Sequence, residues 1–121
     1  MLDSGTQYSP SNLPGTITSE FVFYSACYSA KTNTSLNLNL CSQTVSNGAT
    51  AVIGYTDSVG VNASRCLELN FYDLAISDVS AAYIPVYWAL SQAKTVAASV
   101  YGTSDSAVTS SVMYGNGGFH F

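Results

Sequence analysis

The chain has 121 residues, of which 47% are hydrophobic and only 8% charged, with a formal net charge of −4. That length suits one compact domain, and that apolar content excludes wholesale disorder. The only fixed cations, Lys31, Arg65 and Lys94, are too few to neutralise a nucleic-acid backbone, and no apolar run approaches the roughly 20 residues that span a bilayer.

Residues 1–19 carry the loop signals Ser9-Pro10-Ser11-Asn12 and Pro14-Gly15, and are expected to form an extended arm before a domain over 20–121. The stretch Met1 to Gly15 lacks the basic region and apolar core of a signal peptide. Phe21 to Ala26 is an apolar, β-prone run and predicts a buried strand, which ends in Ser25-Ala26-Cys27. In open α/β sheets, ligands and reacting groups gather beyond the carboxyl ends of such strands.

Leu36 to Ser46 mixes strand-like alternation with a helix stop at Asn47-Gly48. A helix is favoured there, because a parallel neighbour strand needs a crossover. Ala49 to Tyr55 predicts the second strand, parallel to the first, with Ala51, Val52 and Ile53 buried on both faces. Val61 to Ile76 predicts a helix with Leu67, Leu69, Phe71, Tyr72 and Ala75 inward. Ser77-Asp78 caps a further helical stretch, Val79 to Val100, which begins near Pro85 or is kinked there. Tyr101 to Asp105 reads as a loop. Val112-Met113-Tyr114 and Phe119-His120-Phe121 read as short strands around a turn at Gly115-Asn116-Gly117-Gly118. The fold class expected is α/β, a small three-layer, Rossmann-like domain with a mainly parallel sheet. The outer edge of its first strand is left open for a partner.

Cys27, Cys41 and Cys66 are too widely spaced for a Cys-x-x-Cys metal site, so no metal and no cofactor are expected. Cys41 and Cys66 fall within helical patterns and read as buried structural thiols. The Ser-, Thr-, Asn- and Tyr-rich polar share is common on extracellular and cell-surface proteins. In an exported protein, Asn33 and Asn62 would each head a glycosylation sequon.

Three segments carry a family resemblance. Phe21 to Ser29 ends an apolar strand in Ser-Ala-Cys, Val45 to Tyr55 opens a second strand with Gly48-Ala49, and Phe71-Tyr72-Asp73-Leu74 lies on the next helix. Together they resemble the second half of a caspase-like cysteine peptidase domain (clan CD), most closely its gingipain- and CHAT-type bacterial branches. Met113-Tyr114-Gly115-Asn116 resembles the segment before that family's last strand. The resemblance implies that Cys27 is the nucleophile. It also implies that Tyr55, Thr56 and Asp57, at the end of the second strand, shape the specificity pocket, with Asp57 favouring a basic substrate residue. Asp57 also reads as an ordinary turn residue.

The family's catalytic histidine lies upstream of its cysteine, and this chain has no histidine before Cys27. Its one histidine, His120, reads as a surface or tail residue. A cysteine nucleophile needs a base or a positive field to form the thiolate. The resemblance therefore implies the cysteine-bearing half of a peptidase that is inactive alone. A second chain would carry the histidine half, or copies would self-associate through the open sheet edge. The alternatives are a non-catalytic caspase-like binding or assembly module and an unrelated surface protein.

Overall fold

The computed structural model describes residues 20–32, 39–76 and 84–121. The arm expected over 1–19 lies outside them, as do the first turns of two predicted helices. The described elements run β1 (Phe21–Phe23), α1 (Leu40–Ser46), β2 (Ala51–Tyr55), α2 (Val61–Ala75), α3 (Val86–Tyr101), α4 (Ser106–Ser110) and β3 (Ser111–Gly115).

The sheet order is β1-β2-β3. β1 pairs parallel to β2, with Val22 opposite Val52. β3 pairs antiparallel on the other side, with Tyr55 opposite Ser111 and Ala51 opposite Gly115. The sheet is therefore mixed, where a mainly parallel one is predicted. The chain reaches β3 from α4, at the carboxyl end of β2, so β3 can only run back antiparallel.

β2 is central, and all five of its residues are buried. Val52 packs with Cys41, Ala30 and Ala49 on the α1 face. Ala51 and Ile53 pack with Leu67, Phe71, Val86 and Ala89 on the α2–α3 face. Helices cover both sides, which is why an unbroken apolar run serves as the middle strand. In α2 the buried residues are Ala63, Leu67, Phe71 and Ala75, one stripe at a spacing of four. Leu69 and Tyr72, predicted inward, are exposed. At about 100° per residue, Leu69 lies on the far side of the helix from Leu67, and Tyr72 flanks Phe71.

β1 ends at Phe23, three residues before the predicted boundary. The Tyr24 amide still bonds the Ile53 carbonyl at 2.9 Å. Ser25 to Tyr28 then leave the ladder as a loop. The chain returns at Ser29, whose Oγ accepts from the Tyr55 amide at 3.0 Å, and at Ala30, whose amide donates to the Tyr55 carbonyl at 2.9 Å. A side-chain hydroxyl thus stands in for a missing ladder acceptor. β2 begins at Ala51, because the Thr50 and Ala51 amides converge on one carbonyl, that of Glu20.

α1 starts at Leu40, capped by Asn39, whose Oδ1 accepts from the Ser42 amide at 2.7 Å. Residues 33–38, which hold the predicted helix start and the first sequon, lie outside the described ones. Pro85 is the N-cap of α3, and Tyr101 belongs to its last turn instead of the following loop. α4 is an element the sequence does not signal. Asp105 caps it by accepting from the Ala107 amide at 2.9 Å.

Phe119 to Phe121 are not a strand. After β3 the chain turns at Gly117-Gly118, and the Phe119 and Gly117 carbonyls accept from the Val86 and Tyr87 amides at 2.8 and 3.1 Å. The tail so satisfies first-turn donors of α3 that would otherwise lack partners. Phe119 stacks on Phe21 and Phe121 meets it edge-on, with ring centroids 6.2 and 5.1 Å away. Among the described residues no helix is long and apolar enough to cross a membrane.

Candidate functional site

The loop between β1 and its return at Ser29 carries Cys27. Its backbone is fixed by short bonds: the Ser29 amide to the Ala26 carbonyl, the Lys31 amide to the Tyr28 carbonyl, and the Tyr28 amide to the Asp57 carbonyl at 3.2 Å. Tyr28 has φ 60°, the one positive φ at a non-glycine residue among those described. A left-handed aromatic residue costs of order 1 kcal/mol and persists only where its surroundings hold it. Here the Asp57 carbonyl and the Lys31 ammonium, 5.0 Å from the Tyr28 ring centroid, do so.

This turn presents an exposed Cys27 at the carboxyl end of the parallel pair. The thiol faces the backbone of the β2–α2 loop. The Val59 amide donates to Sγ at 3.4 Å, and the thiol points back at the Val59 carbonyl at 3.7 Å. Around it lies a cleft of about 390 Å³, lined by Ser25, Cys27, Val59, Ser64, Arg65 and Glu68 among others. The first turns of α2 form one wall.

Glu68 is the feature that sequence reasoning missed. Its Oε2 accepts from the Ser25 hydroxyl and from the Tyr55 hydroxyl, both at 2.9 Å. Ser25 stands 43 residues away in sequence, so no local pattern announces the contact. Tyr55 is wholly buried, packed with Ala63 and Ala107. Burial first, and then the Glu68 carboxylate, push its phenol well above the ordinary range, so Tyr55 stays a donor. Tyr72 is raised by the same two causes.

Of the pocket residues implied by the resemblance, Tyr55 reaches the cleft only through its hydroxyl on Glu68. Thr56 is held to the Ser110 carbonyl by its amide, at 2.9 Å, and by its hydroxyl. The Asp57 carboxylate accepts from the Ser58 amide at 2.7 Å, which is turn chemistry. Neither Thr56 nor Asp57 lines the cleft.

The other thiols differ in kind. Cys41 is fully buried, and burial pushes its thiol up to about 12, slightly opposed by a hydrogen bond with Ser29. Cys66 is half-buried on α2 and sits under the Asn70 amide group. Among the described residues no three His, Cys, Asp or Glu side chains are grouped so as to hold a metal ion.

The fold and the cleft define an α/β domain with a solvent-exposed thiol beyond a strand end. The chain matches no protein-family model, no curated protein and no solved structure.

Proposed function

We propose that this chain is the cysteine-bearing half of a caspase-like cysteine peptidase, with Cys27 as nucleophile and the base supplied by a second chain. One observation carries the reading: Cys27 is an exposed thiol on a tightly held turn, at the carboxyl end of two parallel strands and inside a cleft. The Val59 amide that points at Sγ lies where it could also polarise a bound carbonyl. The chain is inactive alone, since β3 runs away from Cys27 and carries His120 with it. Its substrates are peptides, needing no cofactor, and its polar composition fits an extracellular or cell-surface location.

The partner would join at β1. Among the described residues β1 is paired on one side only, and its three residues are half-buried where those of β2 are fully covered. An added strand would complete the sheet. The same open edge favours a second reading, a non-catalytic binding or assembly module. Turnover of Arg-, Lys- and Asn-ended fluorogenic peptides, by this chain alone and with a candidate partner, separates the two. Activity that needs the partner and is abolished by Cys27→Ala supports the peptidase. Binding of the partner through β1 with no turnover favours the assembly module.

A further inference from the structure

We infer that the outward face of α2 and α3 is a contact between two copies of this chain, joined antiparallel about Leu69. The contact is separate from the β1 edge and does not depend on the reading of Cys27.

The face is made of what the core leaves over. α2 buries Ala63, Leu67, Phe71 and Ala75. At about 100° per residue, Leu69 points within about 20° of straight away from Leu67. It is 56% exposed, and Ile76, seven residues on, is 55% exposed. α3 packs on the same side of the sheet and exposes Trp88 and Val96. Hydroxyls on α3 are turned back into the helix: Thr95 Oγ1 donates to the Ser91 carbonyl at 3.2 Å and Ser99 Oγ to the Val96 carbonyl at 2.7 Å. Covering them strands no donor. Apolar side chains gathered on an exposed face in this way mark an interaction surface.

Charge names the occupant. Arg65 and Asp73 are the exposed charges of α2, and α3 has none, since its one charged residue, Lys94, is half-buried. Among the described residues neither the Arg65 nor the Asp73 side chain is paired. They stand four residues before and four after Leu69, on one ridge of the helix. A two-fold axis at Leu69 reverses that order, so Arg65 of each copy lies beside Asp73 of the other. Two ion pairs then flank a Leu69–Leu69 contact. Helices that cross at about −50°, the commonest class, set such ridges alongside one another. A second copy matches the arrangement by symmetry alone. The chain's net charge of −4 opposes association, but the two charges of this face cancel.

The size of the face sets the strength. Helices of 15 and 16 residues are about 23 Å long, and two side by side are about 20 Å wide. Between two copies such a face buries at most about 1,000 Å², the lower bound of a specific interface. The dimer is therefore weak, with a Kd of the order of 10 μM.

The test is sedimentation equilibrium of the full chain from about 1 to about 500 μM, a range that brackets this Kd. Arg65→Glu and Asp73→Lys, both at exposed positions, are each expected to raise Kd about tenfold, because two attractions become two repulsions. The double variant Arg65→Glu/Asp73→Lys is expected to return to the wild-type Kd, since every reversed charge meets a reversed charge. An equimolar mixture of the two single variants should pair as tightly. Leu69→Glu should leave a monomer. A wild-type chain that stays monomeric throughout overturns the inference, whether its face is bare or covered by another segment of the chain. So does a dimer that survives Leu69→Glu, as one joined through β1 would, or a double variant no tighter than the single ones.

Discussion

Cys27 and His120 lie at opposite ends of the sheet. Cys27 follows the carboxyl end of β1, whereas the residues on either side of His120 pack against Phe21, where β1 begins. The antiparallel course of β3 causes the separation, since it leaves the sheet beside Ala51. A general base must come within about 3 Å of the thiol or reach it through one water, and a residue beside the start of β1 is badly placed for that. His120→Ala should therefore leave the rate of Cys27 alkylation unchanged across neutral pH. A pH-dependent loss of reactivity in that variant would restore the pair as a mechanism.

Val52 is fully buried in the central strand, packed with Cys41, Ala30 and Ala49. Val52→Asp would bury a carboxylate in that apolar cluster. The cost is several kcal/mol, of the order of the whole stability of a small domain. The expected outcome is an insoluble or non-cooperatively melting protein, checked by circular dichroism.

Gly54 is needed for close approach. A Cβ at this position would overlap Cys41 Sγ and come within 2.6 Å of Ser29 Oγ. Neither neighbour has slack, because Cys41 is fully buried and Ser29 Oγ accepts from the Tyr55 amide. Gly54→Ala should destabilise the domain by about 1–3 kcal/mol, as overpacking typically does. It should also loosen the turn that carries Cys27, read as faster hydrogen exchange at Ser29 and Ala30. A denaturation midpoint equal to wild type would contradict this.

Alkali should unfold the protein through two buried groups. Burial raises the Cys41 thiol from its ordinary 9.0 to about 12, and Tyr55 rises from 10.0 for the same first reason. Their folded values exceed the unfolded ones, so their contribution is fully present below the unfolded values. It is lost as pH rises through the window that opens at 9.0, first for Cys41 and then for Tyr55. Tm should fall from about pH 9 upward, and Tyr55→Phe should flatten the steeper part of that fall. In the same experiment near pH 8, iodoacetamide should modify Cys27 and spare Cys41, whose thiolate is scarce and covered.

Local chemistry made much of this molecule legible. The unbroken run Ala51 to Ile53 declared a strand covered on both faces, because only such a strand can be apolar at every position. The helix-length connection declared the parallel pairing of β1 with β2, and Pro85 marked either the start of α3 or a kink in it, of which the structure has the start. Cys27 beyond a strand end was equally plain. Tertiary structure decided the rest. Nothing local says that β3 would dock antiparallel beside β2, because a strand's direction depends on which end of the sheet the chain has reached. That docking took His120 from Cys27. Likewise, Glu68 reads as one polar position on a helix until the fold brings Ser25 and Tyr55 to it. Bonds between residues far apart in sequence leave no period or spacing behind, so only the packed structure reveals the carboxylate beside the thiol.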